Sequence, residues 1–421
     1  MKIVVAVGLN LLLLALALAW GRRQYHSSPL GRLLLPLLGL KMVAGVVGCL
    51  LLSDDADYFQ RWSVALTSQL WDIPGRWLLT LAGDAFWHKH QELTFHGYSN
   101  TFFIIKVLSV LNLASLGSLL LNALYVTLFG FIGAWELATA VARALPQTPQ
   151  GAAVVAFLLW PTVVYWTAGL TKECLLLGSG AWLFALVIRW LYGSEIPRVG
   201  TVVGALLLAF LHFKMRFFFA VMLFAAIGGL ALIRLVQQLG GARRRWLQVV
   251  LFAALLIAGV SVVQEISPVF RFNKFTGQLI RTYADLREGS RLRPHIEYAD
   301  LAPTAESILR NTPKAIVSTV VRPMPWEELS PMYVAAGLEN ILLVLVLVGG
   351  AVAVARGQPG QVPFALVLVL GFYCLALAAL LGLSTPNLGT LNRYRSVMLP
   401  YLLWLALQNP VAARWLRHLS L

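Results

Sequence analysis

Long apolar blocks alternate with short polar breaks along most of the chain. Many lie at or near the roughly 20 residues that an α-helix needs to cross a bilayer. The pattern predicts spans at residues 3–20, 33–52, 116–140, 151–168, 174–192, 199–211, 217–236, 247–264, 337–355, 363–383 and 396–409. That is an all-α polytopic membrane protein with about eleven transmembrane helices; a β-barrel would show short alternating strands instead. Residues 101–114 read as an interfacial or re-entrant piece, because Lys106 and Asn112 suit a lipid-facing crossing poorly. Two polar stretches interrupt the series. Residues 53–100 form an outer loop in which "DYFQRWSVALTSQLW" is amphipathic and suited to the membrane interface. Residues 265–334 form a small extracytoplasmic segment with two short helical patterns, "FNKFTGQLIRTYADLREG" and "APTAESILRNTPKAIVST". The chain thus divides into an N-terminal transmembrane module (1–264), that segment, and C-terminal transmembrane helices (335–421).

Composition agrees. The 421 residues are 59% hydrophobic and only 12% charged, about half the charged fraction of a soluble domain. The net charge of +15 would suggest nucleic acid in a soluble protein. In this chain it is read as positive-inside bias and attraction to anionic membrane lipids, with no nucleic-acid partner. Lys2 precedes the first span, and Arg22, Arg23 and Arg32 follow it, which places the amino terminus outside and the carboxyl terminus inside. The rival reading, a cleavable signal peptide ending near "ALALAWG", would invert the next loop. Cys49, Cys174 and Cys374 share no short motif, so neither a disulfide framework nor a zinc site is expected.

On this topology the unusual charges collect on the outer face: Asp54, Asp55 and Asp57; Lys172 and Glu173; His212, Lys214 and Arg216; Arg322 and Glu327; Arg393 and Arg395. Ionisable groups at membrane depth are functional hypotheses by default, although snorkelling to headgroups explains some of them. If the second span continues as helix, Asp54, Tyr58 and Trp62 share one face. Asp57 and Arg61, at i and i+4, can pair, which leaves Asp54 as the acid for chemistry. The run "LHFKMRFF" could grip a phosphate at the membrane surface. "RPMPWEE" reads as a Pro-punctuated loop that could place Arg322 and Glu327 over a cavity, or as a simple re-entry turn. Trp62, Trp71, Trp87 and Trp326 could stack on sugar rings, but tryptophan is expected at an interface without any ligand.

"DDADY" (54–58) resembles the acidic motif that opens the first large outer loop of the GT-C superfamily of membrane glycosyltransferases. Three further segments, "WPTVVYWTAGLTKE" (160–173), "RPMPWEELSPMYVAAGLEN" (322–340) and "TPNLGTLNRYRSVMLP" (385–400), resemble a polytopic branch associated with bacterial exopolysaccharide clusters. The chain departs from the superfamily pattern in having Asp55 where Glu is usual, an extra span before the usual first one, and a small segment 265–334. The resemblance implies a GT-C-like fold in the bacterial inner membrane with its active face periplasmic. It implies a polyprenyl-linked sugar donor, a glycan or lipid acceptor, and other polysaccharide-assembly proteins as further partners.

Sugar transfer from a lipid phosphate needs a base for the acceptor hydroxyl and cations for the leaving phosphate. Asp54 suits the first role, with Asp55 beside it and Glu173 as second acid or orienting group. Lys172, His212, Lys214, Arg216, Arg322, Arg393 and Arg395 suit the second. Tyr58, Glu327 and Tyr394 are candidates for other substrate contacts. Asp54, Asp55 and Glu173 could also supply oxygen ligands to a divalent cation, Mg or Mn. Three rival classes stay open. A polymerase or ligase of lipid-linked repeat units would rely more on the outer arginines. A transporter would show internal repeats and mid-span acids. A non-catalytic subunit of an export complex would tolerate loss of Asp54.

Overall fold

The computed structural model describes residues 1–51, 53–95, 99–193, 195–266 and 271–418, with only the backbone described for 262–266. The described chain is helical apart from one hairpin. In order come α1 (Lys2–Ser27), α2 (Leu34–Leu50), α3 (Asp54–Asp72), α4 (Pro74–Ala82), strands β1 (Ala85–His88) and β2 (Gln91–Thr94), α5 (Asn100–Ser115), α6 (Leu119–Ala144), α7 (Gln150–Val154), α8 (Pro161–Trp166) and α9 (Lys172–Leu191). Then follow α10 (Val199–Met215), α11 (Phe217–Gln238), α12 (Arg245–Ile266), α13 (Phe272–Glu288), α14 (Ala305–Val321), α15 (Pro331–Ala355), α16 (Phe364–Ser384), α17 (Leu388–Arg395), α18 (Leu399–Ala406) and α19 (Pro410–His418).

Seven of the described helices are long and apolar enough to cross a membrane: Lys2–Ser27, Gly31–Leu50, Leu119–Ala144, Lys172–Leu191, Phe217–Gln238, Pro331–Ala355 and Phe364–Ser384. Four shorter apolar helices, Asn100–Ser115, Gln150–Leu159, Val199–Met215 and Arg245–Ser261, accompany them. The protein is a polytopic helical membrane protein. Two expected spans take another form. Residues 151–168 are not one helix: a π-helical turn, Val155–Leu159, ends at the extended Trp160, and α8 restarts at Pro161, which has no N–H to continue the ladder. Residues 396–409 contain only α18, eight residues long and so about 12 Å. Beyond it Asn409 accepts from the N–H groups of Val411 and Ala412 and starts α19.

The chain forms two compact units, each discontinuous in sequence: residues 1–143, 164–186 and 196–220, and residues 144–163, 187–195 and 221–421. In the first unit α6 follows α1 along its length. Tyr125 donates to Asn10 Oδ1 (2.5 Å), Trp20 and Gln24 donate to Glu136 Oε1 (2.8 and 2.9 Å), and Arg143 donates to the Ser27 carbonyl (2.9 Å). α6 and α9 approach so closely that a Cβ on Gly133 would lie 2.0 Å from the Gly178 carbonyl oxygen, the small-residue packing that membrane helices favour. The second unit uses the same device: a Cβ on Gly382 of α16 would lie 2.4 Å from the Ala315 carbonyl oxygen of α14.

The polar stretch after α2 is built on α3, which packs against α5. α3 buries Ala56, Phe59, Gln60, Ser63, Leu66 and Thr67, a stripe at helical spacing. Against it α5 buries Ser109 and Asn112. Asn112 Nδ2 donates to Ser63 Oγ (3.1 Å) and Thr67 Oγ1 (3.0 Å), and Asn122 of α6 donates to Asn112 Oδ1 (2.7 Å) and Gln60 Oε1 (3.0 Å). The amide donors of this seam are hydrogen-bonded, as burial demands, while Asn122 Oδ1 is buried without a partner among the described residues. α5 ends where its Ala114 carbonyl accepts from Asn10 Nδ2 of α1 (2.8 Å). Asn10 lies two helical turns, about 12 Å, along α1 from Lys2, so α5 ends level with the second turn of α1. The turn after it uses positive φ at Leu116 and Gly117.

Candidate functional site

The three aspartates open α3 rather than extending α2. α2 stops at Leu50, and Ser53, in extended conformation, caps α3 by accepting from the Ala56 N–H (3.3 Å). The premise that the second span continues through the aspartates is therefore corrected, although Asp54, Tyr58 and Trp62 still share a face because α3 contains all three. Carboxylates in a first helical turn are stabilised by the N–H groups there, which gives the cluster a structural reason. Asp57 pairs with Arg61 at 2.9 Å, as the spacing predicts. Asp54 and Asp55 are exposed. Tyr58, half-buried, meets Trp62 with ring centroids 6.2 Å apart.

Two other helix ends in the same unit, the start of α9 and the end of α10, bring charge to the start of α5. At the start of α9, the Lys172 ammonium donates to Asn100 Oδ1 (2.8 Å) and Thr101 Oγ1 (3.0 Å), in the first turn of α5, and lies 5.0 Å from the centre of the Phe59 ring of α3. Lys214, in the last turn of α10, lies 5.8 Å from the Phe103 ring, also at the start of α5. Two lysines therefore bracket the N-terminal turn of α5, where backbone N–H groups already favour an anion. Behind them Glu173, fully buried, accepts from Arg216 at 2.9 Å. Removing either partner would take the opposite charge from beside a buried ionised group. Glu173 thus fits the orienting role better than that of an acid free to exchange protons.

His212 needs correcting as a phosphate ligand. It is fully buried, with Nδ1 3.0 Å from Ser179 Oγ of α9, so it packs two helices together. Asp54, Asp55 and Glu173 do not gather as metal ligands: among the described residues no group of three His, Cys, Asp or Glu side chains could hold an ion.

The second unit brings together the other motif segments. Arg395, fully buried, donates through one guanidinium nitrogen to the carbonyls of Thr319 (3.1 Å), Val320 (3.0 Å) and Arg322 (2.9 Å), and through another to Asn340 Oδ1. It caps the C-terminal end of α14, where helix carbonyls lack partners. Arg395 is therefore corrected from phosphate ligand to structural clamp. Asn340 also donates to the Pro323 carbonyl (2.6 Å). Its neighbour Glu339 accepts from the N–H of Thr162 (3.1 Å) and its hydroxyl (2.9 Å), filling the gap that Pro161 opens. Arg322 pairs with Glu327, whose other oxygen accepts from the Met324 N–H (2.6 Å), so this pair closes its own loop. Arg393 and Tyr394 are half-buried on α17. Ahead of that helix, Ile296 donates to the Pro386 carbonyl (2.9 Å), tying in segment 265–334.

Sequence reasoning missed Lys41. It is buried in α2 and donates to the Val164 carbonyl (3.1 Å) and Thr167 Oγ1 (2.7 Å). A lysine inside an apolar span was the available signal. Comparison with protein-family models, curated proteins and solved structures finds no match.

Proposed function

We propose that the chain is a membrane glycosyltransferase of GT-C type in a bacterial inner membrane, with its active face periplasmic. It moves a sugar from a polyprenyl-phosphate-type donor to a glycan or lipid acceptor during cell-surface polysaccharide synthesis. The observation that carries this reading is the pair Lys172 and Lys214 bracketing the first turn of α5, with the acidic start of α3 in the same unit. Cations converging on a helix N-terminus suit a phosphate, and an exposed carboxylate at a helix start suits a general base. In this assignment Asp54 takes the acceptor proton, with Asp55 beside it. Lys172 and Lys214 hold the lipid phosphate as negative charge develops on it. Glu173 orients Arg216, and the half-buried Tyr58 and Trp62 offer aromatic surface to a sugar.

The test is complementation of a host lacking the gene with Asp54→Asn at matched membrane abundance, reading extracellular polysaccharide and lipid-linked sugars. Loss of a general base lowers the rate about 10²–10⁴-fold, so the expected outcome is no polysaccharide and accumulated lipid-linked precursor. Wild-type output from Asp54→Asn overturns the assignment and moves the search to a non-catalytic role.

A further inference from the structure

α4 is a helix turned inside out. Its buried side carries Trp77 and Thr80, and Trp77 Nε1 donates to Ser109 Oγ (3.0 Å) in the polar seam between α3 and α5. Its exposed side carries Gly75, Leu78, Leu79 and Ala82, with Leu78 60% and Leu79 74% exposed. A helix facing water places polar residues on that side. Two further apolar groups extend the patch: Ile73 just before the helix and Trp87 on β1, each about half exposed. The only charge on the helix, Arg76, lies at the edge of this face and stacks over the Trp87 ring at 4.8 Å.

The level of α4 relative to the bilayer follows from its neighbour. The ammonium of Lys2, the first residue of α1, lies 5.5 Å from the centre of the Trp71 ring, at the end of α3. α1 is lipid-facing, since only 6% of its apolar stretch is buried inside the protein. Trp71 therefore lies where a lipid-facing span meets water, and α4 begins three residues later. α3 lies alongside α5, which covers its apolar stripe, and reaches the level of Lys2 at Trp71, so the free apolar face at that level belongs to α4. Nine residues, about 13 Å, cannot cross a 30 Å apolar layer.

We propose that α4, with Ile73 and Trp87, is an interfacial anchor seated in the headgroup boundary of the bilayer. Its leucines enter the upper acyl region, and Arg76 lies level with the lipid phosphates. Such amphipathic elements bind by buried apolar area together with attraction to anionic lipid. The proposal stands independently of the catalytic reading.

The experiment places a nitroxide at Leu79→Cys in a Cys49→Ser background; the other two cysteines are buried. The full chain is reconstituted in phosphatidylethanolamine–phosphatidylglycerol vesicles, and collision with oxygen and with a water-soluble nickel chelate is read by power saturation. Leu14→Cys on lipid-facing α1 and Glu288→Cys on exposed α13 serve as lipid and water references. The expected result is oxygen access close to that at Leu14→Cys and nickel access several-fold below that at Glu288→Cys, with Leu78→Cys alike. Nickel access equal to the Glu288→Cys reference places α4 in water and overturns the proposal. Exclusion of both reagents, with an immobile label, means that protein covers the face and overturns it equally.

Discussion

The two units use the same residue types to opposite ends. In the first, Lys172 and Lys214 sit half-buried around the start of α5, Lys172 held by Asn100 Oδ1 and Thr101 Oγ1 and Lys214 against the Phe103 ring. In the second, Arg395 is fully buried and donates to backbone carbonyls at a helix C-terminus, while Arg322 is matched with Glu327. A cation at a C-terminus completes the helix; cations at an N-terminus leave positive potential that an anion can neutralise. The difference lies in which end of a helix each charge meets, and motif position along the chain does not disclose it.

That contrast can be broken by substitution. The largest effect is expected from Arg395→Met, which takes the donor from three carbonyls, one buried and two part-buried, and costs about 4 kcal/mol. Unfolding of the purified protein in detergent should show it, and near wild-type stability would demote Arg395 from clamp to surface cation. Glu173→Gln removes the carboxylate beside a largely buried Arg216 and should cost about 3 kcal/mol. The double variant Glu173→Met, Arg216→Met should recover most of that loss, and failure to recover would show that the pair does more than neutralise charge. Asp54→Asn should shift stability by less than about 0.5 kcal/mol while abolishing polysaccharide output, the signature of a site residue with no structural duty.

The smallest effect concerns pH. Beside Asp72, the hydrogen bond from Lys89 and then that from His88 hold the carboxyl below the usual carboxylate range. A depressed folded pKa stabilises the hairpin at pH above the unfolded value near 3.9. That contribution disappears as pH falls through the folded pKa. A spin label at the β-turn, His90→Cys, should therefore gain mobility only in strongly acid buffer. In Asp72→Asn its mobility should not change with pH.

Much of the architecture was legible because membrane crossing is a demand on length and hydropathy. The long spans apart from 151–168 and 396–409, residues 101–114 and the two helices of segment 265–334 correspond to helices in the structure. The Asp57–Arg61 pair followed from i, i+4 spacing. The site was less legible. His212 and Arg395 sit in basic runs that read like phosphate grips, but each is fully buried and holds helices together. The amphipathic pattern of α3 suggested a membrane-interface helix, yet its stripe is covered by α5, and the unpaired apolar face lies on α4. A hydrophobic period reports that a face will be covered and says nothing of whether lipid or protein covers it.

The sequence by itself determined that the chain is helical, polytopic and strongly basic, and that its acids cluster at a span end. Those properties rest on local composition, which the bilayer reads directly. The tertiary structure alone decided which charges are consumed. Whether a guanidinium or a carboxylate is available depends on the carbonyls, amides and counter-charges that distant segments bring to it, as Thr319, Asn340 and Arg322 do for Arg395. In a low-dielectric interior those long-range partners set the role of each charge, because an unmatched one is too costly to keep.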